Sequence, residues 1–220
     1  IEYRFSGFMN VESITLAEGI TSIGAYAFAN LPKLNSIYLP STLTTIEEYG
    51  FGTENSIENV YYGGTCEEWI LLWSSQNNPT YYNPMLYADN LYFKNESEEW
   101  EKVSTLIIPS SITDISDEYL YGFNDIDTII IEEGIERLNC SDLTKFVHTK
   151  NIYLPATLNY IDYDNFNKLE KLENVYYSGT MNEWLNMDLA SSIDCSPLIY
   201  ADNFYMKDEN GEWEIVTQIV

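Results

Sequence analysis

A repeat of 23 residues runs through much of this chain. The stretches that begin at residues 14 and 37 read ITLAEGITSI and IYLPSTLTTI, and those that begin at 106, 129 and 152 read LIIPSSITDI, IIIEEGIERL and IYLPATLNYI. Neighbouring starts are 23 residues apart, and the gap from 37 to 106 equals three such lengths. A fixed period between about 20 and 50 residues is typical of a solenoid, in which each repeat forms one coil.

Five apolar positions recur in every repeat. In the second repeat they are occupied by Ile37, Leu39, Leu43, Ile46 and Phe51. The first two lie two residues apart, so their side chains point to the same face of a short strand. One coil cannot bury its own apolar face, and it becomes stable only when its neighbours stack on it. We therefore expect short parallel strands that pair from coil to coil.

Two longer segments interrupt the regular repeat. One opens with VYYGGTCEEW at residue 60 and the other with VYYSGTMNEW at residue 175, which is five repeat lengths later. Each opening contains a threonine followed three residues later by a glutamate, the pattern of a capping box that begins a helix. Each then continues with LYFK and EWEKV, or FYMK and EWEIV, around a polar turn, which predicts a hairpin.

The repeat resembles a known family. The stretch 34-LNSIYLPSTLTTIEEYGF-51 is similar to the BspA-type leucine-rich repeat of bacterial surface proteins, and 14-ITLAEGITSIGAYAFANLPKL-34 is the most similar copy. The resemblance implies an α/β fold: a right-handed leucine-rich repeat solenoid with short parallel strands on one face. We expect residues 1–220 to form a single solenoid with inserted modules at 60–105 and 175–217, as a fragment of a longer chain.

The charge and the apolar pattern of the chain argue against a nucleic-acid partner and against membrane insertion. The sequence has 10 Lys and Arg residues against 35 Asp and Glu residues, a formal net charge of −25. Binding to phosphate backbones requires clusters of Lys and Arg, so we expect no nucleic-acid partner. No apolar run approaches the roughly 18 residues that a membrane-spanning helix needs, so we expect no membrane insertion.

The sequence offers little for catalysis. His148 is the single histidine, and no motif links it to Cys66, Cys140 or Cys195. A nucleophile needs an adjacent base, so we expect no enzyme, no catalytic residues and no cofactor. The run 208-DENGE-212 carries oxygen ligands but is too short for an EF-hand loop. We interpret it as a hairpin turn and expect no metal site.

The second position of each strand gives the candidate binding surface. These side chains point away from the core, and tyrosine and isoleucine prevail among them. The candidate partner-binding residues are Tyr38, Tyr61, Ile107, Ile130, Tyr153 and Tyr176. Tyrosine is enriched at binding sites, but aromatic and β-branched residues also favour strands in general. Both explanations of the row stay open. Trp69 and Trp184 are interpreted as packing residues of the inserted helices.

These observations lead to one functional expectation. The resemblance implies a non-catalytic binding or adhesion domain of a secreted or cell-surface bacterial protein, located outside the cell. Its partner would be a host or extracellular protein or glycoprotein, with a glycan as a further candidate. A structural spacer within a multidomain surface protein and a carbohydrate-binding module are the alternatives, followed by a cysteine-dependent enzyme.

Overall fold

The structure is a computed structural model that describes residues 5–52, 56–74, 83–112, 120–139, 143–190 and 193–218. The described residues form two compact units. Unit 1 contains residues 5–103 together with 120–123, and unit 2 contains residues 104–112 and 124–218. The continuity of one solenoid over residues 1–220 stays a prediction, as does its handedness.

Unit 1 is built around one five-stranded sheet. Its elements in chain order are β1 (Ser13–Thr15), β2 (Ser22–Ile23), β3 (Ser36–Leu39), β4 (Thr45–Ile46), β5 (Asn59–Tyr62), α1 (Cys66–Ser74), a 3-10 helix (Pro84–Leu86), β6 (Asn90–Lys94) and β7 (Trp100–Lys102). Strands β1, β3, β5 and β6 pair in parallel, and β7 closes the sheet as the antiparallel partner of β6. Strands β2 and β4 form a small second sheet.

Unit 2 repeats this plan with one more coil. Its elements are β8 (Thr105–Ile108), β9 (Thr128–Ile131), β10 (Arg137–Leu138), β11 (Asn151–Leu154), β12 (Tyr160–Ile161), β13 (Asn174–Tyr177), α2 (Met181–Leu185), β14 (Asp188–Leu189), two 3-10 helices (Ile193–Cys195 and Pro197–Ile199), β15 (Asn203–Lys207) and β16 (Trp213–Ile215). Strands β8, β9, β11, β13 and β15 pair in parallel, and β16 is antiparallel to β15. Strands β10, β12 and β14 form the small sheet.

The strand register confirms the predicted repeat. Ile37 lies opposite Ile14 on one side and opposite Val60 on the other. Ile129 and Ile152 are aligned in the same way in unit 2. The inward side chains are buried, as with Ile37 and Ile152, which have no exposed surface. The prediction of an α/β leucine-rich repeat with parallel strands is therefore confirmed.

The two inserted modules form a helix and a hairpin, as predicted. Thr65 and Glu68 exchange hydrogen bonds at the start of α1, and Thr180 and Glu183 do so at the start of α2. The Asp208 carboxylate accepts hydrogen bonds from two backbone N–H groups of its turn, which holds the pKa of Asp208 below its usual value. Sequence reasoning did not foresee that the first hairpin strand, β6 or β15, also extends the parallel sheet.

The first coil of unit 1 leaves its apolar side open. Ile14, Leu16 and Ile20 are half-buried, although the matching residues of the next coil are buried. An apolar cavity of about 450 Å³ opens there, and it is also lined by Phe5 and Phe8. These two rings are 45% and 54% exposed.

In each module, a tyrosine ring lies so close to the backbone of one residue that only glycine fits there. A β-carbon added at Gly179 would lie 2.5 Å from the hydroxyl oxygen of Tyr177, and one at Gly64 would lie 2.6 Å from the ring of Tyr62. Both tyrosines are buried, so neither ring can swing aside without displacing core residues. The spacing Tyr-x-Gly in both modules follows from this close contact.

We predict that Gly179→Ala lowers the free energy of unfolding by about 1–3 kcal/mol, because the added methyl group forces Tyr177 to move. Urea unfolding followed by circular dichroism measures the change. Ser178→Ala is the matched control, since Ser178 precedes the close contact and should change stability by less than about 0.5 kcal/mol. Equal stability of the two variants would contradict the prediction.

Candidate functional site

The face of each main sheet that points away from the core carries a stack of three tyrosines. In unit 1, the ring centroids of Tyr38 and Tyr61 are 4.3 Å apart with an interplanar angle of 8°. Those of Tyr61 and Tyr92 are 4.5 Å apart at 16°. The three residues occupy the same register position of β3, β5 and β6. The inter-strand spacing of about 4.8 Å therefore brings the rings into face-to-face contact.

Unit 2 contains an equivalent stack. The ring centroids of Tyr153 and Tyr176 are 4.3 Å apart at 6°, and those of Tyr176 and Tyr205 are 4.6 Å apart at 14°. Ile130 lies at the same register position, beside Tyr153, and Ile107 lies beside Ile130. All of these residues are half-buried. We call the two surfaces the open faces of unit 1 and unit 2.

A tryptophan from the hairpin packs edge-on against each stack. The centroid of Trp100 lies 6.0 Å from that of Tyr38 and 5.3 Å from that of Tyr61, with steep interplanar angles. Trp213 is placed in the same way, 5.8 Å from Tyr153 and 5.3 Å from Tyr176. Within each stack, the flat faces of the tyrosine rings that point at each other are covered. Mainly the edges and hydroxyl groups of these rings therefore remain for contact with a partner.

The lysine that faces each tryptophan completes the cluster. Lys94 Nζ lies 5.6 Å from the ring centroid of Trp100, and Lys207 Nζ lies 5.2 Å from that of Trp213. Both distances are within the range of cation–π attraction. The lysine and the tryptophan are cross-strand neighbours in the hairpin, so the hairpin itself fixes the position of the indole ring.

An asparagine ladder runs beside each tyrosine stack. Asn90 Nδ2 donates to Asn59 Oδ1 at 3.1 Å. In unit 2, Asn174 donates to Asn151 at 2.8 Å and Asn203 donates to Asn174 at 2.9 Å. Each asparagine precedes the stacked tyrosine by two residues, so both side chains point to the same face of the strand. The hydrogen bonds between these side-chain amides hold the asparagines in place beside the tyrosine rings.

The environment of the central tyrosines raises the pKa of their hydroxyl groups. Burial raises the pKa of Tyr61, and the adjacent Tyr38 and Tyr92 raise it further. Burial likewise raises the pKa of Tyr176, followed by the effects of Tyr153 and Tyr205. Like any protonated tyrosine hydroxyl, both can donate as well as accept hydrogen bonds at neutral pH.

Four exposed carboxylates lie at the edge of the main sheets where strands begin. Glu58 and Asp89 precede β5 and β6, and Glu173 and Asp202 precede β13 and β15. Their side chains are exposed. Their backbones form hydrogen bonds between neighbouring coils: the Asp89 N–H donates to the Glu58 carbonyl at 3.1 Å. We call these four residues the acidic margin, because they add negative charge beside the asparagine ladders.

The structure places the predicted residues on two sheets, one in each unit. Tyr38 and Tyr61 belong to the open face of unit 1, whereas Ile107, Ile130, Tyr153 and Tyr176 belong to that of unit 2. Their role in partner binding stays a prediction.

Sequence reasoning missed four rings of the open faces. These are Tyr92, Trp100, Tyr205 and Trp213. The signal for the two tyrosines was present, because 90-NLYF-93 and 203-NFYM-206 match the strand pattern 59-NVYY-62. The two tryptophans could be placed only once the hairpin register was known.

The tryptophans of the inserted helices pack differently from those of the hairpins. Trp69 and Trp73 are fully buried and lie 5.2 Å apart in an edge-to-face arrangement. Trp184 is half-buried and packs against Tyr177 and Phe204. These contacts agree with the interpretation of Trp69 and Trp184 as packing residues.

In the described residues, no three His, Cys, Asp or Glu side chains are grouped so that they could hold a metal ion. His148 is exposed, and its Nδ1 lies 3.0 Å from Lys171 Nζ. Cys66 is half-buried and Cys195 is buried, and Cys140 lies outside the described residues.

In the parts of the chain that the structure describes, every helix is too short or too polar to cross a bilayer.

The comparisons with known proteins agree with the repeat. The model of the BspA-type leucine-rich repeat region matches residues 1–69 and 93–192 with six copies. The chain belongs to this family. The gap in the match, 70–92, falls within the first inserted module. No curated protein sequence matches the BspA-type chain.

Two solved structures are similar to this BspA-type chain. One is a leucine-rich cell surface protein from Faecalibacterium prausnitzii, with 15% identity over 83% of this chain and a TM-score of 0.26. The other is the pneumococcal vaccine antigen PcpA, with 16% identity over 82% of this chain and a TM-score of 0.31. The chain spans 64% and 48% of the lengths of these two proteins.

We predict that the central ring of each stack stabilises its unit. Tyr61→Ser removes three ring contacts, with Tyr38, Tyr92 and Trp100, and should lower the free energy of unfolding by about 1–3 kcal/mol. Tyr61→Phe is the matched control, because it retains all three contacts and should change stability by less than about 1 kcal/mol. Urea unfolding measures both variants. A serine variant as stable as the phenylalanine variant would show that the stack contributes nothing to folding.

We also predict a loss of stability at alkaline pH that depends on Tyr62. Burial, followed by the nearby carboxylates of Glu68 and Glu18, raises the pKa of Tyr62 to about 12. The folded state therefore retains a proton that the unfolded state releases near pH 10, so this contribution is present below pH 10 and is lost as the pH rises toward 12. Tyr62→Phe should show a smaller fall in the urea midpoint between pH 9 and 11. A fall equal to that of the wild type would contradict the assignment.

Proposed function

We propose that this chain is a non-catalytic binding domain of a bacterial cell-surface protein, and that its open faces contact a protein partner. The observation that carries the proposal is the pair of aromatic stacks, each with three tyrosines and a tryptophan on the face opposite the core. Tyrosine and tryptophan supply large contact areas with few rotatable bonds, which is why they prevail at the energetic centres of protein interfaces.

The arrangement of the rings favours a protein over a glycan. A sugar that stacks on an aromatic side chain requires an open ring face, whereas Tyr61 and Tyr176 are covered by rings on both sides. The tyrosine edges offer hydroxyl groups, and the neighbouring asparagines offer amides. Such groups suit the backbone and polar side chains of a protein. A carbohydrate-binding module is therefore the less favoured alternative.

The acidic margin favours a partner that is basic where it contacts this margin. The acidic margin lies at the edge of the same sheets, and the chain as a whole carries a formal net charge of −25. Complementary charge accelerates association and rejects partners of like charge. Arginine is well suited to such a surface, because its guanidinium group binds carboxylates and packs on aromatic rings.

A location on the cell surface and a role in adhesion are supported by family membership and by one similar protein described as a cell surface protein. A structural spacer is the remaining alternative, because the ring contacts also hold neighbouring coils together. The two functions differ in one respect: a spacer has no partner whose binding depends on the tyrosine hydroxyl groups or on the acidic margin.

We predict that binding to a host extracellular-matrix extract depends on both features. The variant with Tyr61→Phe and Tyr176→Phe removes two hydroxyl groups and keeps the stacks, and the variant with Glu58→Gln and Glu173→Gln removes two charges. Each should weaken binding by about tenfold, as expected for the loss of two hydrogen bonds or two close charge contacts. Surface plasmon resonance on the immobilised chain at two salt concentrations measures the affinity.

The control variant carries Glu48→Gln and Glu170→Gln. It removes the same charge from exposed glutamates that lie in the coils outside the main sheets, and its affinity should equal that of the wild type. Equal affinities of all variants would contradict the role of the open faces. Absence of binding by the wild type would favour the spacer.

A further inference from the structure

The two inserted modules allow a comparison of matched residues within one chain. The helix residues are offset by 115 positions and the hairpin residues by 113. In the first module, Trp69, Ile70, Met85, Leu91 and Val103 are all buried. The matching residues of the second module are more exposed; these are Trp184, Leu185, Leu198, Phe204 and Val216. We call this second set the end face of unit 2.

The difference in exposure is large at matched positions. Ile70 has no exposed surface, whereas its counterpart Leu185 is 61% exposed. Trp69 has no exposed surface either, whereas Trp184 is half-buried. Exposed apolar side chains that lie together mark a surface that another molecule or segment covers. Trp184 and Phe204 do lie together, with ring centroids 4.6 Å apart.

The first module shows what covers such a face. Its cover is the segment 120-LYGF-123, which comes from the tail of the coil that follows the hairpin. The Trp69 indole N–H donates to the Tyr121 carbonyl at 3.4 Å. Leu120 and Phe123 are buried, and the Phe123 ring lies 6.5 Å from that of Phe93.

Gly122 lies close against the apolar face in this cover. Its φ is +101°, and a β-carbon built on it would lie 2.9 Å from Met85 Cγ and 3.1 Å from Leu91 Cδ2. A larger residue at this position would therefore collide with the apolar face as well as strain the backbone. The segment that forms the cover thus has the order leucine, aromatic residue, glycine, aromatic residue, with the glycine against the apolar face.

We infer that the end face of unit 2 is a docking site for one further coil of the same repeat, whose tail carries a leucine–aromatic–glycine–aromatic segment. Trp184, Leu198 and Phe204 take the places of Trp69, Met85 and Leu91 in that contact. The coil covers apolar surface that would otherwise face water, in the way that each repeat of a solenoid is stabilised by its neighbour. This inference is independent of the proposed binding function of the open faces.

The experiment appends the sequence of residues 108–128 after Val220. This extension continues the pattern, because Ile107 matches Val220 at the offset of 113. Hydrogen exchange detected by mass spectrometry reports the backbone amides of α2, including those of Trp184 and Asn186, which are bonded within the helix. We expect their exchange to slow by at least tenfold in the extended protein, with an increase in Tm.

The matched control is the same extension with the copied glycine changed, as in Gly122→Leu. It has the same length and nearly the same composition, but its side chain collides with the end face, so exchange in α2 should remain as fast as in the unextended chain. Exchange in β5 (Asn59–Tyr62) provides an internal reference for correct folding of unit 1 in every protein.

Three results would overturn the inference. The first is that the extension leaves exchange in α2 unchanged, and the second is that both extensions slow it equally. The third is that sedimentation shows self-association of the unextended chain, with α2 already protected. In the last case the cover is a second copy of the chain. Gly122→Leu in the chain itself tests whether residues 120–123 protect the first module. It should accelerate exchange in α1, and unchanged exchange there would also count against the inference.

Discussion

The parallel pairing of strands one repeat apart is the interaction on which the rest of this structure depends. Because the pairing joins residues that hold the same position in successive coils, every side chain lies beside its own counterpart. The core is then a set of aliphatic columns, and the opposite face is a set of polar and aromatic columns. A slip by one residue would reverse these faces and place Tyr61 or Tyr176 in the core. The repeat length in the sequence is thus a direct record of the strand register.

The same pairing makes strand propensity and the proposed binding role compatible accounts of the tyrosines. Tyrosine suits a strand position, but here the in-register alignment also brings Tyr153 within 4.3 Å of Tyr176 and orders both rings. Ordered rings lose little conformational entropy when a partner arrives. Stacking, however, covers the ring faces and leaves the hydroxyl edges. The structural role of the stack therefore decides which kind of contact remains available, and it favours polar groups of a protein over the flat face of a sugar.

The features that depend on local spacing and residue type could be predicted from the sequence. The aliphatic columns, the capping boxes at Thr65 and Thr180, and the hairpin turns all follow from spacing and residue type, and the structure contains them. Features that depend on contacts between distant residues were not foreseen. Trp100 joins the stack only because the antiparallel register sets it opposite Lys94, and Tyr92 joins only because the first hairpin strand pairs with β5. In both cases the ring was visible in the sequence, but the pairing that positions it was not.

The two inserted modules show how far sequence similarity determines environment in a repeat protein. Both modules begin with the same strand and capping box, yet α1 spans nine residues and α2 five. Trp69 is buried beneath the tail of another coil, whereas the matching Trp184 is half-buried. In a quasi-one-dimensional stack, the neighbouring coil completes the environment of each residue. The same motif is therefore fully buried at Trp69, where another coil covers it, and half-buried at Trp184, so its environment follows from its place in the stack as much as from its residues.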